Sequence, residues 1–277
     1  MPALEHRTIL VTGITDASSL ALHCAAQLRR EGARVVCTGL GPTPHHVGLS
    51  DKAAAYLTRS YGDFLGAVRA AFGSEVLTLP LDVTVDGSLA DVAAALRERG
   101  IRLDGVLHSI AMDKTIRGGE VKPLLQVTRE EFASAMDVSA YSLIALLRAL
   151  LEGGVLNDGA AVCALSYLGA ARVARHPYRN IGVAKAALER IVLELAHELG
   201  RAHGIKVNAV RFSPYTESKA GGAIQGLAEA AEFCDRESAL GNARAEDLAW
   251  EVAYLLRPYG RVTGEIRNVD GGYHIRG

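Results

Sequence analysis

Short, predominantly apolar runs alternate along this chain with longer stretches of helical periodicity. No other feature limits the fold as strongly. TILVTG (8–13), ARVVCTG (33–39), EVLTLPLDV (75–83), DGVLHSIA (104–111), GAAVCALSY (159–167), IKVNAVRF (205–212) and GEIRNVDGG (264–272) read as strands. Helices are predicted over 18–32, from Asp51, over 86–99, 128–152 and 178–200, and near 218–234 and 245–257. A strand with one wet face alternates polar and apolar residues, whereas a strand buried on both faces is apolar throughout. Strands alternating with helices therefore predict a parallel sheet covered on both sides. No linker is long enough to divide the 277 residues. The expectation is an α/β protein, a single Rossmann-type doubly wound domain of about seven strands.

Charge and cysteine use narrow the function classes. The formal net charge is −1, which gives no broad cationic surface for nucleic acid or a membrane. Cys24, Cys37, Cys163 and Cys234 are far apart and form no C-x-x-C pair, so buried reduced thiols are expected. The start, MPALEHRTIL, shows no charged leader followed by an apolar core. The apolar run LIALLRALL is broken by Arg148 and is too short for a bilayer. A soluble cytoplasmic protein is the expectation.

In doubly wound sheets ligands bind outside the carboxyl ends of the strands, so the residues after each strand carry the argument. After the first strand, Gly13 makes a tight turn into a helix beginning near Ser19, whose free N–H groups would face a phosphate. This is not a G-x-G-x-x-G loop, and an ordinary strand–turn–helix stays open. The second strand ends without the acidic residue that marks NAD or the arginine that marks NADP. His45 and His46 follow it and read as a solvated pair. With nothing cationic fixed there, NADH is favoured over NADPH. Asp82 ends the third strand, placed to accept from an adenine amino group or to cap the next helix. His108 and Ser109 end the fourth, and His108 reads as structural.

After the fifth strand come Tyr178 and Lys185. Seven residues are close to two helical turns, so both side chains share one face, about 10 Å apart along the axis. Lysine suits ribose hydroxyls, and its charge is expected to lower the pKa of a neighbouring phenol. The tyrosine would then serve an oxygen gaining negative charge.

Together, GITDASSLA (13–21), LDV (81–83), LHSIAM (107–112), DVSAYSL (137–143), LSYLGA (165–170), YRNIGVAKAALE (178–189), IKVNAVRFSP (205–214) and VDGGYHI (269–275) resemble the short-chain dehydrogenase/reductase superfamily. The chain is most similar to its divergent branch, the enoyl-acyl-carrier-protein reductases of bacterial fatty-acid synthesis. Ser139 stands where ordinary members carry a catalytic asparagine. The resemblance implies Tyr178 as catalytic tyrosine, Lys185 as ribose-binding lysine and Tyr167 as first tyrosine of the pair. It places Gly13, Ser19 and Leu20 at the pyrophosphate, Leu40 at the adenosine, Asp82 and Val83 at adenine, and Ile110 by the nicotinamide. It also implies an enoyl thioester on acyl carrier protein or coenzyme A, a homotetramer, and a substrate-covering segment at about 213–235.

Three departures from the branch stand out. Tyr167 and Tyr178 are eleven apart where ten is usual. The Gly-Pro-Ile-(Arg/Lys)-Thr segment appears as SPYTES, with Thr216 standing in for a threonine whose strict register falls on Glu217. The stretch AMDKTIRGGE is polar for a wall beside an acyl chain. Ser166 keeps a ketone or 3-oxoacyl reductase reading open, and a non-catalytic nucleotide-binding homologue stays open as well.

Overall fold

The computed structural model describes residues 3–219, 221–222 and 224–276. Seven parallel strands form one sheet: β1 (Thr8–Val11), β2 (Arg34–Gly39), β3 (Thr78–Pro80), β4 (Leu103–His108), β7 (Leu156–Tyr167), β8 (Lys206–Phe212) and β9 (Ile266–Val269). Their spatial order is β3-β2-β1-β4-β7-β8-β9. Chain order reverses direction between β1 and β4, so the binding crevice opens there.

Strands β1, β2, β4, β7 and β8 feed both faces of the sheet. In β1, Leu10 joins one core and Ile9 and Val11 the other. Leu10 packs with residues of α3 (Asp86–Glu98), α5 (Ser142–Glu152) and α6 (Arg179–His203), including Leu96, Leu146 and Leu188. Ile9 and Val11 pack with residues of α1 (Leu20–Arg30), α2 (Asp51–Phe72) and α8 (Ala245–Leu255), including Cys24, Phe64 and Val252. All four cysteines are free and buried, and burial pushes the Cys24 and Cys37 thiols up to about 12.

Three elements differ from the sequence reading. The predicted helix 128–152 is α4 (Arg129–Met136), one π-helical stretch (Asp137–Tyr141) and then α5. The capping box that starts it is present between Thr128 and Glu131. The stretch Arg129–Glu152 is long and apolar enough to cross a membrane, with mean hydropathy 1.4 over its most apolar 18 residues, yet 56% of those are buried inside the protein. A two-stranded hairpin, β5 (Ile116–Arg117) with β6 (Glu120–Val121), replaces the expected loop. It turns on Gly118 and Gly119, both at positive φ, as a two-residue hairpin turn prefers. The helix predicted near 218–234 is α7, confined to Leu227–Glu237. The segment before it holds turns, and Ala220 and Ala223 lie outside the described residues.

Gly13 fixes the distance between β1 and β4 at the crevice. Its φ is +80°, and a Cβ there would lie 1.9 Å from the Ser109 carbonyl oxygen. Both conformation and space exclude a side chain. We predict that Gly13→Ala lowers unfolding free energy by about 2–4 kcal/mol. A urea titration would read this as a lower midpoint with unchanged slope.

Candidate active site

Two adjoining cavities open at the carboxyl ends of the strands. The larger, about 960 Å³, runs along the Gly13 turn, the ends of β2 and β3, and the segment after β4. The smaller, about 190 Å³, lies between the segment after β4, the end of β7 and the approach to α7. Leu20, Ala111, Met112, Ser166 and Ser218 line both, so the two are continuous.

The larger cavity collects most of the residues assigned to a dinucleotide. Gly13, Ser19, Leu20, Leu40, Asp82, Val83, Ile110 and Lys185 all line it. The turn after Gly13 is shaped by Asp16, whose carboxylate accepts from the backbone N–H and hydroxyl of Ser18 at 2.9 and 2.6 Å. Ser19 precedes α1 but does not cap it; its hydroxyl donates to the Asp16 carbonyl at 2.7 Å. The first turn of α1 thus has no side-chain cap, which suits a pyrophosphate. Burial raises the Asp82 carboxyl, but hydrogen bonds from Thr84 and from His46 outweigh it and hold the group below its ordinary value. His46 and His45 pair with Asp82 and Asp91 at 3.1 and 2.9 Å and line neither cavity.

Thr216 is exposed and lines neither cavity, whereas Ser218 lines both. The loop is steered by Tyr215, whose phenol lies 3.1 Å from the Ser18 carbonyl and 3.3 Å from the Glu217 carboxylate. That contact draws Glu217 toward Tyr215, outside the lining of the larger cavity. Ser218 was not singled out by the sequence, because register alone points to residues 216 and 217.

Tyr178 and Tyr167 both line the smaller cavity, their ring centroids 4.8 Å apart and edge to face. Tyr178 sits at the N-cap of α6, and its ring packs directly on Gly169. A Cβ on Gly169 would lie 2.3 Å from the ring, so the glycine admits the tyrosine to this position. Lys185 is buried on the same helix. Its ammonium donates to the carbonyls of Leu165 and Ile110 at 2.7 and 3.2 Å, tying the end of β7 to the segment after β4.

The expected lowering of the Tyr178 pKa is not what this environment produces. Burial pushes the phenol well above its ordinary value, and the carboxylates of Asp113 and Glu189 push it further. The Lys185 charge is engaged by two carbonyls and does not reverse this. Tyr178 is therefore a neutral hydrogen-bond donor. Burial likewise raises Tyr167. Burial lowers Lys185 to about 8, against the attraction of Glu189. His108 is neutral: burial and then the Lys185 charge lower it to about 3. The Ser142 hydroxyl donates to the Val138 carbonyl at 2.7 Å. His108 Nε2, 2.8 Å from that hydroxyl, must therefore donate to it.

Two serines are committed elsewhere. Ser139 both accepts from the Met112 N–H and donates to the Met112 carbonyl, at 3.0 and 3.1 Å, so the π-helical stretch holds the wall of both cavities. Ser166 donates to Glu189 at 2.6 Å, and Arg211 grips the same carboxylate with two bonds at 2.8 and 2.6 Å. Glu189 carries much of the site's charge organisation. In the sequence its only signal was a position one turn beyond Lys185.

The doubly wound sheet, the turn at Gly13 and the Tyr178–Lys185 pair define an oxidoreductase of the nicotinamide-dinucleotide class. More narrowly, the chain belongs to the enoyl-(acyl carrier protein) reductase family, whose model matches residues 13–274. It is 34% identical to the NADH-dependent enoyl-[acyl-carrier-protein] reductase FabI of Aquifex aeolicus, over 100% of this chain and 94% of that protein. Identity to the Bacillus cereus FabI is 31%, covering both chains fully. The crystal structure of the Aquifex aeolicus reductase superposes with TM-score 0.83 at 32% identity, over 99% of each chain. A FabI–NADH complex from Alistipes finegoldii gives 0.86 at 26% identity, over 100% of this chain and 91% of that one.

The Lys185 shift has a definite sign in stability. Below about pH 8 the folded and unfolded chains both carry the charge, and the penalty for burying it is constant. Between about 8 and the ordinary 10.5, the unfolded chain keeps the proton and the folded chain has released it, so this group adds stability as pH rises. We predict that Lys185→Met gains most over the native chain below pH 8. That gain should shrink across the window when the two are compared by denaturant unfolding.

Proposed function

We propose that this protein reduces the 2,3 double bond of an enoyl thioester with NADH, the thioester being carried on acyl carrier protein or coenzyme A. The observation that carries the reading is the Ser166–Glu189 bond at 2.6 Å. A ketoreductase serine must present its proton to the substrate carbonyl. Ser166 gives its only proton to a carboxylate already fixed by Arg211, and can do no more than accept toward the cavity. Tyr178 remains as a donor at the cavity wall, beside Tyr167.

The residues at the larger cavity fit a nicotinamide dinucleotide. Gly13 lines the cavity in a conformation only glycine adopts readily, and the Thr38 hydroxyl at the end of β2 is buried without a partner among the described residues. Lys114 and Lys185 are the cavity's cations, and neither belongs to the β2 end, which favours NADH over NADPH. Gly13, Ser19 and Leu20 would hold the pyrophosphate, Leu40, Asp82 and Val83 the adenosine half, and Ile110 and Lys185 the nicotinamide ribose. The bound cofactor supplies the hydride that reduces the β-carbon.

The protein's part is position and field. As the double bond is reduced, negative charge develops on the thioester oxygen. Tyr178 donates a hydrogen bond to that oxygen from a buried wall, where such a bond is worth more than in water. Its high pKa keeps the phenol protonated, so it stabilises the enolate without surrendering its proton. The α-carbon takes its proton from solvent or a relay. The segment 213–235, which supplies Ser213, Tyr215, Ile224 and Leu227 to the smaller cavity, would cover the acyl chain.

The protein would act in the cytoplasm as a homotetramer. Phe132, Tyr141, Val183 and Leu193, on α4, the π-helical stretch and α6, are large and exposed, and would pack against other copies. Sedimentation should give a tetramer mass; a monomer at working concentrations would contradict this. For the reaction, NADH oxidation with crotonyl coenzyme A is the direct assay. We predict that Tyr178→Phe lowers kcat by about 10²–10³-fold with little change in NADH binding. Full activity in that variant would remove Tyr178 from the reaction.

A further inference from the structure

His46 is not the solvated residue its loop position predicts. Its side chain is 10% exposed, and its Nε2 lies 3.1 Å from Asp82 Oδ2. Nδ1 of the same ring accepts the Thr43 backbone N–H at 3.1 Å. A backbone N–H can only donate, so Nδ1 carries a lone pair and the ring proton sits on Nε2. His46 is therefore a neutral ring that donates to the Asp82 carboxylate. The loop that carries it is docked on α3 as well: His45 pairs with Asp91 at 2.9 Å, and its ring packs on Gly87, where a Cβ would lie 2.4 Å from it.

The carboxylate held in this way belongs to the larger cavity. Asp82 lines that cavity, with its side chain 18% exposed. Its Oδ1 accepts the N–H and the hydroxyl of Thr84 at 2.9 and 2.7 Å. Its own N–H donates to the Ser88 hydroxyl at 3.0 Å. Two bonds on one oxygen leave the other free to swing, and the His46 bond on Oδ2 stops that motion. A carboxylate has about four acceptor sites, so one on Oδ2 remains for a ligand. Leu40, Tyr56 and Val83 line the same cavity at the ends of β2 and β3 and on α2, and suit the faces of a flat base.

We propose that His46 is a positioning residue for the cofactor: through Asp82 it makes the site selective for a purine bearing an exocyclic amine, adenine, over one bearing a carbonyl there, hypoxanthine. This rests on the placement of the adenosine half at Asp82 given above. The amine of adenine donates to Oδ2. Hypoxanthine presents a carbonyl oxygen at that position, which a carboxylate repels, and its nearest donor is the adjacent ring N–H. A fixed carboxylate cannot turn to follow that donor, whereas a loose one can. Because the imidazole is neutral, it fixes the carboxylate without cancelling its charge.

The test is equilibrium binding of NADH and of reduced nicotinamide hypoxanthine dinucleotide to the full chain, followed by the fluorescence of the dihydronicotinamide ring that both share. The native chain should bind NADH more tightly by about 10–100-fold. In His46→Phe that ratio should fall by about 3–10-fold, while His46→Gln, which keeps an N–H donor, should retain most of it. A native ratio near unity overturns the inference. So does a His46→Phe chain that binds both dinucleotides more weakly at an unchanged ratio, which is what a histidine that merely holds its loop would give. His46→Ala serves the same comparison where His46→Phe does not fold. Nitrogen NMR of the native chain gives a reading free of any variant: the His46 proton is expected on Nε2, and a proton on Nδ1 overturns the inference. Binding of both dinucleotides without preference removes this inference alone. Binding of neither removes the cofactor reading on which it rests.

Discussion

A buried ammonium organises this protein. Lys185 donates to the carbonyls of Leu165 and Ile110, so one cation on α6 joins the end of β7 to the segment after β4. Those two chain ends form the wall shared by the cavities. Carbonyl dipoles repay only part of the cost of removing the charge from water, which is why burial lowers the pKa of Lys185. Such a site gains from ribose hydroxyls, which can add acceptors to a donor with three protons. The residue that shapes the crevice is thus also the one suited to grip its ligand.

The same burial decides the state of the tyrosine. Proximity to a lysine suggests a phenolate, but the low-dielectric wall and the carboxylates of Asp113 and Glu189 favour the neutral phenol. For an enolate oxygen a neutral donor is what is required: it stabilises developing charge without carrying charge of its own. Glu189 contributes a second time by taking the proton of Ser166, and so separates this site from one built for ketones. Gly169 makes the arrangement possible by leaving room for the Tyr178 ring. Chemistry that looks like a two-residue motif depends on a carboxylate, a serine and a glycine around it.

The fold was legible because double burial writes itself into composition. The consecutive apolar residues ILV of β1 and VL of β4 are what a sheet covered on both faces asks for. Tyr178 and Lys185 stand out in the sequence by helical spacing, and the Gly13 turn by its place after the first strand. What escaped the sequence depended on contacts between distant segments. Glu189 reads locally as one more charge on a helix, and only the fold brings Ser166 and Arg211 to it. The sign of the Tyr178 shift depends on desolvation, which spacing does not carry. Register points to Glu217, with Thr216 standing in for the threonine, but the Tyr215 contact with Ser18 sets the path of that loop. The hairpin at Gly118–Gly119 was signalled by its two glycines, although strands of two residues give no periodicity to support it.

The central claim is that one helix face presents a neutral phenol to the reacting oxygen and a lysine to the sugar beside it. A crystal structure of the complex with NADH and a slowly reacting enoyl thioester measures this directly. The account predicts Tyr178 Oη about 3 Å from the thioester carbonyl oxygen, with Lys185 Nζ on the nicotinamide ribose hydroxyls. A complex in which Ser166 donates to that carbonyl, or in which the Tyr178 hydroxyl points away from it, would contradict the account.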